Sequence, residues 1–356
     1  MKIEDLVIID ASTVLAGPSV GMFFAELGAK VIKIEHPLLG DVTRTWKLPN
    51  EPKDSNVSAY FSSVNYKKEY KKLDYSNPVD RKEFLDLIKE SDILLTNFKY
   101  GDAEKFGLTD EVLFDLNPKL IHGKISGFGQ ESDRVAYDLI LQAESGFMSM
   151  NGTSESGPVK MPVALIDVLA AHQLKEGLLV ALLEQDNQLN KGRIVEVSLF
   201  EAAISSLINQ ATNYLSVGHV ARRIGSLHPN IAPYGELFKT FDNQLITFAV
   251  GSDSHFFKLC KFLACSFLTE DERFQKNQNR VVNRTELQQL LQDKIGQLIC
   301  DDILDALHKE HVPVGKIKSL DEVLDDPRVQ SMILEEEIEN VMTKRIKSVA
   351  FQLKKI

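Results

Sequence analysis

Leu6-Val7-Ile8-Ile9-Asp10, then Leu15-Ala16-Gly17-Pro18, then Lys30-Val31-Ile32-Lys33-Ile34-Glu35 read together as a βαβ unit. A short apolar run ends in a carboxylate, a glycine loop opens a helical stretch over Ser19–Leu27, Gly28 closes it, and a second apolar run follows. The alternation continues through a helical Asp80–Glu90, a strand over Asp92–Leu95, a helical Asp110–Asn117 and a strand over Lys119–Ile125. Strands separated by helices predict an α/β fold with a parallel sheet and helices on both faces.

Further on, Pro162–Ile166 reads as an apolar strand running into Asp167, and Val168 to about Glu184 as a long apolar helix. The polar stretch Asp186–Arg193 ends that helix, and Ile194–Leu199 reads as another buried strand. Ala202–Ala221 is uncharged but holds Asn209, Gln210 and Asn213, which suits a buried amphipathic helix better than a membrane span. Beyond Arg222 the texture changes. His228-Pro229-Asn230-Ile231-Ala232-Pro233-Tyr234 is a proline-punctuated loop, Leu237–Thr240 and Leu245–Val250 form a hairpin pattern around Asp242-Asn243-Gln244, and helices are expected over His255–Leu263 and Arg284–Lys309. The expected organisation is a large domain over 1–224, a small α+β domain over 225–315 and a return segment over 316–356, with a helix near Leu320–Leu324 and a terminal strand over Ile346–Leu353.

With 41 Lys+Arg against 51 Asp+Glu, the chain of 356 residues carries a formal charge of −10, which argues against a general affinity for nucleic acid or anionic membrane. The N-terminus lacks a basic segment followed by an apolar one, so a cytoplasmic location is expected. Cys260, Cys265 and Cys300 are too few for a disulfide framework and lack metal-ligand spacing, so buried reduced thiols are expected.

Glu35 stands where a dinucleotide-binding unit places its ribose carboxylate, but Gly17-Pro18-Ser19-Val20-Gly21 is not the GxGxxG that such a unit requires, which argues against a nicotinamide enzyme. A helix N-terminus after a glycine loop still suits a phosphorylated ligand. Arg44, Lys67-Lys68, Lys71-Lys72, Lys99 and Lys105 form either solvated surface or a phosphate-binding rim. Asp167, between a strand and a helix, reads by position first as an N-cap and alternatively as a carboxylate held ionised by the helix dipole and poised to attack an acyl group. His308 and His311 imitate a metal pair without a third ligand, and no metal is expected.

Several segments together resemble the class III coenzyme A transferases, the family that includes formyl-CoA transferase, carnitine-CoA transferases and the α-methylacyl-CoA racemases. They are Ala16-Gly17-Pro18, Leu27–Glu35 with Pro37, Gly40-Asp41 and Arg44, then Asn97-Phe98, Gly107-Leu108, Asn117-Pro118 and Ser126–Gln130. Tyr137-Asp138-Leu139-Ile140, Gln142-Ala143, Ser145-Gly146, His228–Tyr234 and Ala249–Asp253 continue the series in order and spacing.

The resemblance implies a Rossmann-like large domain built from both chain ends, a smaller domain between them, and an interlocked homodimer. It implies an enzyme that moves coenzyme A from an acyl-CoA to a carboxylic acid, with CoA as substrate and no metal, nicotinamide or flavin. It places the catalytic aspartate on Asp167, with Tyr137, Asp138, Gly129 and Gln130 as auxiliary candidates. It places the CoA contacts on Leu15, Ala16, Gly17, His36, Arg44, Asn97, Lys99 and Lys105. The family often has Arg where His36 stands. The alternative is an α-methylacyl-CoA racemase, whose histidine is replaced here by Tyr137, and an unperturbed phenol is a poor base at neutral pH. Asp133-Arg134 and Arg222-Arg223 form either a site for an acceptor carboxylate or plain surface charge.

Overall fold

The computed structural model describes residues 2–185 and 191–354. The chain divides into two compact units, one of residues 1–150, 159–221 and 328–356, the other of residues 151–158 and 222–327. The sequence reading sets these divisions at 225 and 316.

The first unit is built on six strands: β1 (Val7–Asp10), β2 (Lys30–Glu35), β3 (Lys68–Lys72), β4 (Ile93–Thr96), β5 (Ile121–Ser126) and β6 (Arg193–Ser198). Their order is β3-β2-β1-β4-β5-β6, and every neighbouring pair is parallel. This is the doubly wound order, with its reversal between β1 and β4. Strand residues alternate between two cores as the pleat requires. Ile8, Val31, Ile93 and Leu95 face a core shared with α1 (Ala16–Glu26) and the long Leu165–Leu183 helix, whereas Ile9, Ile32 and Leu94 join Phe84, Ile88 and Leu113 on the other face. Phe84 and Ile88 come from α2 (Pro78–Lys89), which Asn77 caps by accepting the N–H groups of Val79 and Asp80. After β4 come α3 (Asp102–Phe106) and α4 (Asp110–Leu116), the latter capped by Thr109. Later helices of this unit are α5 (Asp138–Glu144) and α6 (Leu165–Leu183).

The expected strand over Pro162–Ile166 is absent. Side chains satisfy that backbone instead of a neighbouring strand: Gln142 accepts the N–H of Met161 at 2.8 Å, and Asp138 Oδ1 accepts the N–H of Ile166 at 2.8 Å. Asp167 therefore lies inside the first turn of α6, where the sequence reading expects a boundary residue. Of the polar stretch after α6, residues 186–190 lie outside the described residues. The single buried helix expected over Ala202–Ala221 is instead two helices, Leu199–Ser205 and Ile208–Val217, broken at Ile208 with φ 37°, and the second buries none of its residues. The expected terminal strand over Ile346–Leu353 is replaced by an antiparallel hairpin, Ile333–Ile338 with Val341–Ile346. Beyond it, Glu26 at the end of α1 accepts the backbone N–H groups of Ser348 and Val349, so that backbone bonds to a carboxylate and not to a strand. Among the described residues, no helix is long and apolar enough to cross a membrane.

The second unit holds a three-stranded antiparallel sheet in the order β9-β8-β7, from β7 (Tyr234–Lys239), β8 (Leu245–Ala249) and β9 (Val314–Lys316). Helices Asp253–Phe262, Arg284–Ile295 and Cys300–Lys309 cover it over a core with Phe238, Phe248, Phe256 and Phe274. The helix expected over Arg284–Lys309 is thus two, interrupted at 296–299. The three cysteines are free and buried, in this same core. His308 Nε2 lies 3.1 Å from the carbonyl of Val314. Fully buried Arg280 holds the loop before β7, donating to the carbonyls of Ala232 and Phe274 and to Asp253.

Candidate active site

The carboxyl ends of β1 to β4 open onto a cleft of about 410 Å³. Its lining comes from the residues just past each strand: Ala11 and Thr13, then His36 and Gly40, then Leu73 to Ser76, then Asn97 to Lys99 with Asp102, Lys105 and Phe106. Ligands of open parallel sheets bind in such a crevice. Four of the expected CoA contacts, His36, Asn97, Lys99 and Lys105, come together here. Each has local chemistry. Asn97 clamps the chain after β1, its Oδ1 accepting the N–H of Thr13 at 3.0 Å and its Nδ2 donating to the Thr13 carbonyl at 2.9 Å. His36 Nδ1 accepts the N–H groups of Leu38 and Leu39 and so holds the turn that ends at Gly40. Tyr75, Phe98 and Phe106 pack edge to face or tilted against one another, giving the cleft an apolar aromatic wall beside its two lysines.

Arg44 lines a neighbouring cleft of about 400 Å³ with Lys47, Lys53 and Lys72. Its guanidinium is committed to the protein: it is bidentate to Glu35 at 2.8 and 3.1 Å, donates to the carbonyl of Asn56 and lies 3.8 Å from the centre of the Phe61 ring. Glu35 is accordingly an ion-pair partner and not a free ribose carboxylate. Lys68 also leaves the expected phosphate rim. It is buried, donating to Asp10 Oδ2 at 2.8 Å, the Pro18 carbonyl at 2.8 Å and Asn65 Oδ1 at 2.9 Å, and burial lowers it to about 8. Burial acts to raise Asp10, but Lys68 and Lys33 outweigh it and hold the carboxyl low. Lys33 in turn pairs with Asp41 at 3.1 Å, and Asp41 accepts the N–H groups of Val14 and Thr43. Two buried ion pairs thus fix the loop after β1.

Leu15, Ala16 and Gly17 line neither cleft. Ala16 and Gly17 are buried in the first turn of α1, and Gly17 is required by packing, since a Cβ there would overlap the side chain of Ser12. The glycine loop joins helix to strand closely, the third role of glycine in such units.

Asp167 is buried, with 8% of its surface exposed, and no ion pair reaches it among the described residues. Burial first, and the Asp138 charge second, push its carboxyl up to about 7. The dipole of α6 favours the ionised form by about 0.3–1 kcal/mol, less than a shift of this size represents. The expectation of a carboxylate held ionised by the helix is therefore corrected: burial wins. Asp138 binds Gln142 Nε2 through Oδ2 at 2.7 Å while its Oδ1 holds the Ile166 N–H, so it positions the helix start and raises the acid next to it. Tyr60 was missed by sequence reasoning because it sits in a four-residue helix without periodicity. Burial and the charges of Asp167, Asp138 and Asp41 push its phenol up to about 12. Tyr137 and Gln130 are exposed, and Gly129 takes φ 104°, a left-handed conformation that favours glycine. Arg134 pairs with Glu144 at 2.7 Å.

The description CoA-transferase family III matches residues 3–355. The chain belongs to this family. The succinate–glutarate CoA-transferase of Agrobacterium fabrum is 36% identical over 338 residues, spanning 93% of this chain and 84% of the relative. The succinyl-CoA:glutarate CoA-transferase of Homo sapiens is 32% identical over 330 residues, 92% of this chain and 74% of the relative. The crystal structure of a CAIB/BAIF family protein from Brucella suis matches with a TM-score of 0.87 at 34% identity, covering 98% of this chain and 92% of that one. As a class III CoA-transferase, the chain acts on CoA thioesters, and the two relatives just named are CoA-transferases.

Proposed function

We propose that Asp167 is the covalent nucleophile of a CoA transfer between two carboxylic acids. The observation that carries this reading is the buried, cation-free Asp167 carboxyl raised to about 7, since a desolvated and more basic carboxylate is a better nucleophile. Asp167 attacks the acyl carbonyl of the donor thioester; the C–S bond breaks, leaving a mixed anhydride and CoA thiolate. The thiolate attacks the aspartyl carbonyl and expels the donor carboxylate, giving an aspartyl-CoA thioester. The acceptor carboxylate opens this to a second anhydride, and the thiolate then takes the acceptor acyl group and frees Asp167. Thioester free energy is conserved throughout, and retention of the thiolate supplies a high effective concentration.

In this reading the cleft past β1 to β4 holds the CoA nucleotide, with Lys99, Lys105 and His36 facing its phosphates and the aromatic wall its base. Succinate and glutarate in the names of the relatives make small dicarboxylates the first acceptors to test. We also infer a homodimer, interlocked as the family resemblance implies. It is supported by helix Ile208–Val217, which leaves Ile208, Leu215 and Val217 more than 70% exposed. Three free buried thiols suit a cytoplasmic location.

The test is peptide mass spectrometry after incubation with succinyl-CoA, glutaryl-CoA and other acyl-CoAs, in wild type and Asp167→Ala. An acyl or CoA adduct on the Asp167 peptide, absent from the variant, is expected. Transfer of CoA by Asp167→Ala at the wild-type rate would overturn the assignment.

A further inference from the structure

His122, the second residue of β5, is 3% exposed and has both ring nitrogens engaged. Its Nδ1 is 2.9 Å from Asp110 Oδ1 and its Nε2 is 2.9 Å from Thr96 Oγ1. An ionised Asp110 accepts the hydrogen bond of Nδ1–H, so in the neutral ring Nε2 carries the lone pair and the Thr96 hydroxyl donates to it. Thr96 is the last residue of β4, and Asp110 is the first of α4. Between them runs segment 97–109, which supplies Asn97, Lys99 and Lys105 to the cleft. One imidazole therefore joins the two ends of the segment that forms one wall of the cleft. Lys124 reinforces the Asp110 end by donating to its Oδ2.

We propose that His122 is a positioning residue that staples the base of segment 97–109 and thereby sets the affinity of the cleft for its ligand. The contact with Thr96 fixes where β4 ends, and Asn97 then binds both backbone groups of Thr13 across the sheet reversal. The contact with Asp110 fixes where α4 begins, and so the arc that carries Lys99 and Lys105. No bond from His122 reaches the cleft itself, and its effect passes through backbone placement. The identity of the ligand as CoA rests on the reading given above; the stapling does not.

The experiment uses His122→Leu, Thr96→Val and Thr96→Ser in the full chain. Hydrogen exchange without ligand is measured over 97–109, and CoA affinity by calorimetry. His122→Leu and Thr96→Val each strip a buried partner, and amides of 97–109 are expected to exchange about tenfold faster or more. Both are expected to weaken CoA binding about fivefold or more and to raise KM for acyl-CoA while kcat is kept. Thr96→Ser retains the hydroxyl and is expected to restore wild-type values, which a packing role for the Thr96 methyl does not predict. Unchanged exchange over 97–109 in both His122→Leu and Thr96→Val overturns the staple. Faster exchange with CoA affinity unchanged overturns its role in binding, provided Lys105→Ala weakens CoA. If Lys105→Ala leaves CoA affinity unchanged, the assignment of the cleft to CoA fails instead, and hydrogen exchange still decides the staple.

Discussion

The carboxylate of Asp138 accepts the backbone N–H of Ile166 at 2.8 Å, so one acid anchors the turn of helix that carries another, Asp167. That arrangement places a negative charge beside a buried carboxyl and links local structure to the protonation of the proposed nucleophile.

Asp167 gives stability a definite pH dependence. Its folded value of about 7 lies above the ordinary carboxyl value of 3.8, so its contribution is fully present below about pH 4 and is lost as pH rises through 7. Asp167→Asn removes this loss. Chemical denaturation at pH 8 is expected to show the variant more stable than wild type by on the order of 2–4 kcal/mol, with the gap closing toward pH 4. A constant difference between the two proteins across pH 4–8 contradicts this.

The same titration governs rate if the ionised carboxylate attacks. In wild type, kcat/KM is expected to rise with pH through about 7. Asp138→Asn keeps an acceptor for Ile166 but removes the charge, so the acid limb is expected to move to lower pH by roughly one unit or less. Asp138→Ala also uncaps α6 and is expected to cost a further 0.5–2 kcal/mol, roughly, in thermal or urea unfolding.

Lys68 and Asp10 form a fully buried pair. Lys68→Met leaves Asp10 charged with only Lys33 near, and is expected to destabilise the protein by about 3–5 kcal/mol in urea unfolding. The double variant Asp10→Asn with Lys68→Met is expected to recover part of this, because no charge is then left uncompensated.

Gly17→Ala brings a methyl into Ser12. A loss of about 1–3 kcal/mol is expected, and Ser12→Gly in the same chain is expected to return most of it. Absence of that coupling in a double-mutant cycle counts against close packing of α1 on the loop after β1.

The βαβ start was legible because Val7–Asp10 and Lys30–Glu35 are apolar runs bracketing a glycine-bounded helix. β3 was not, because Lys68-Glu69-Tyr70-Lys71-Lys72 is a charged edge strand whose Lys68 is buried by ion pairing and not by hydrophobicity. The same blindness applies to Arg44 and Lys33: a sequence shows that a cation is present but not that Glu35 or Asp41 has already engaged it. Asp167 could be singled out by its position, yet its raised pKa depends on burial and on Asp138, 29 positions earlier in number but adjacent in the fold. His122 carried no signal at all, since its partners Thr96 and Asp110 come from separate elements.

Arg345 reaches Glu26 at 3.1 Å, and Ser348 and Val349 complete the same carboxylate's bonds. Glu26 leaves the ribosome hundreds of residues before these partners do. At roughly 5–20 residues per second, α1 waits many seconds with a carboxylate and an apolar flank uncovered. Glu26 therefore stays without these partners until residues 345–349 have been made, and the nascent first unit up to that point is the stage at which a chaperone has most to shield.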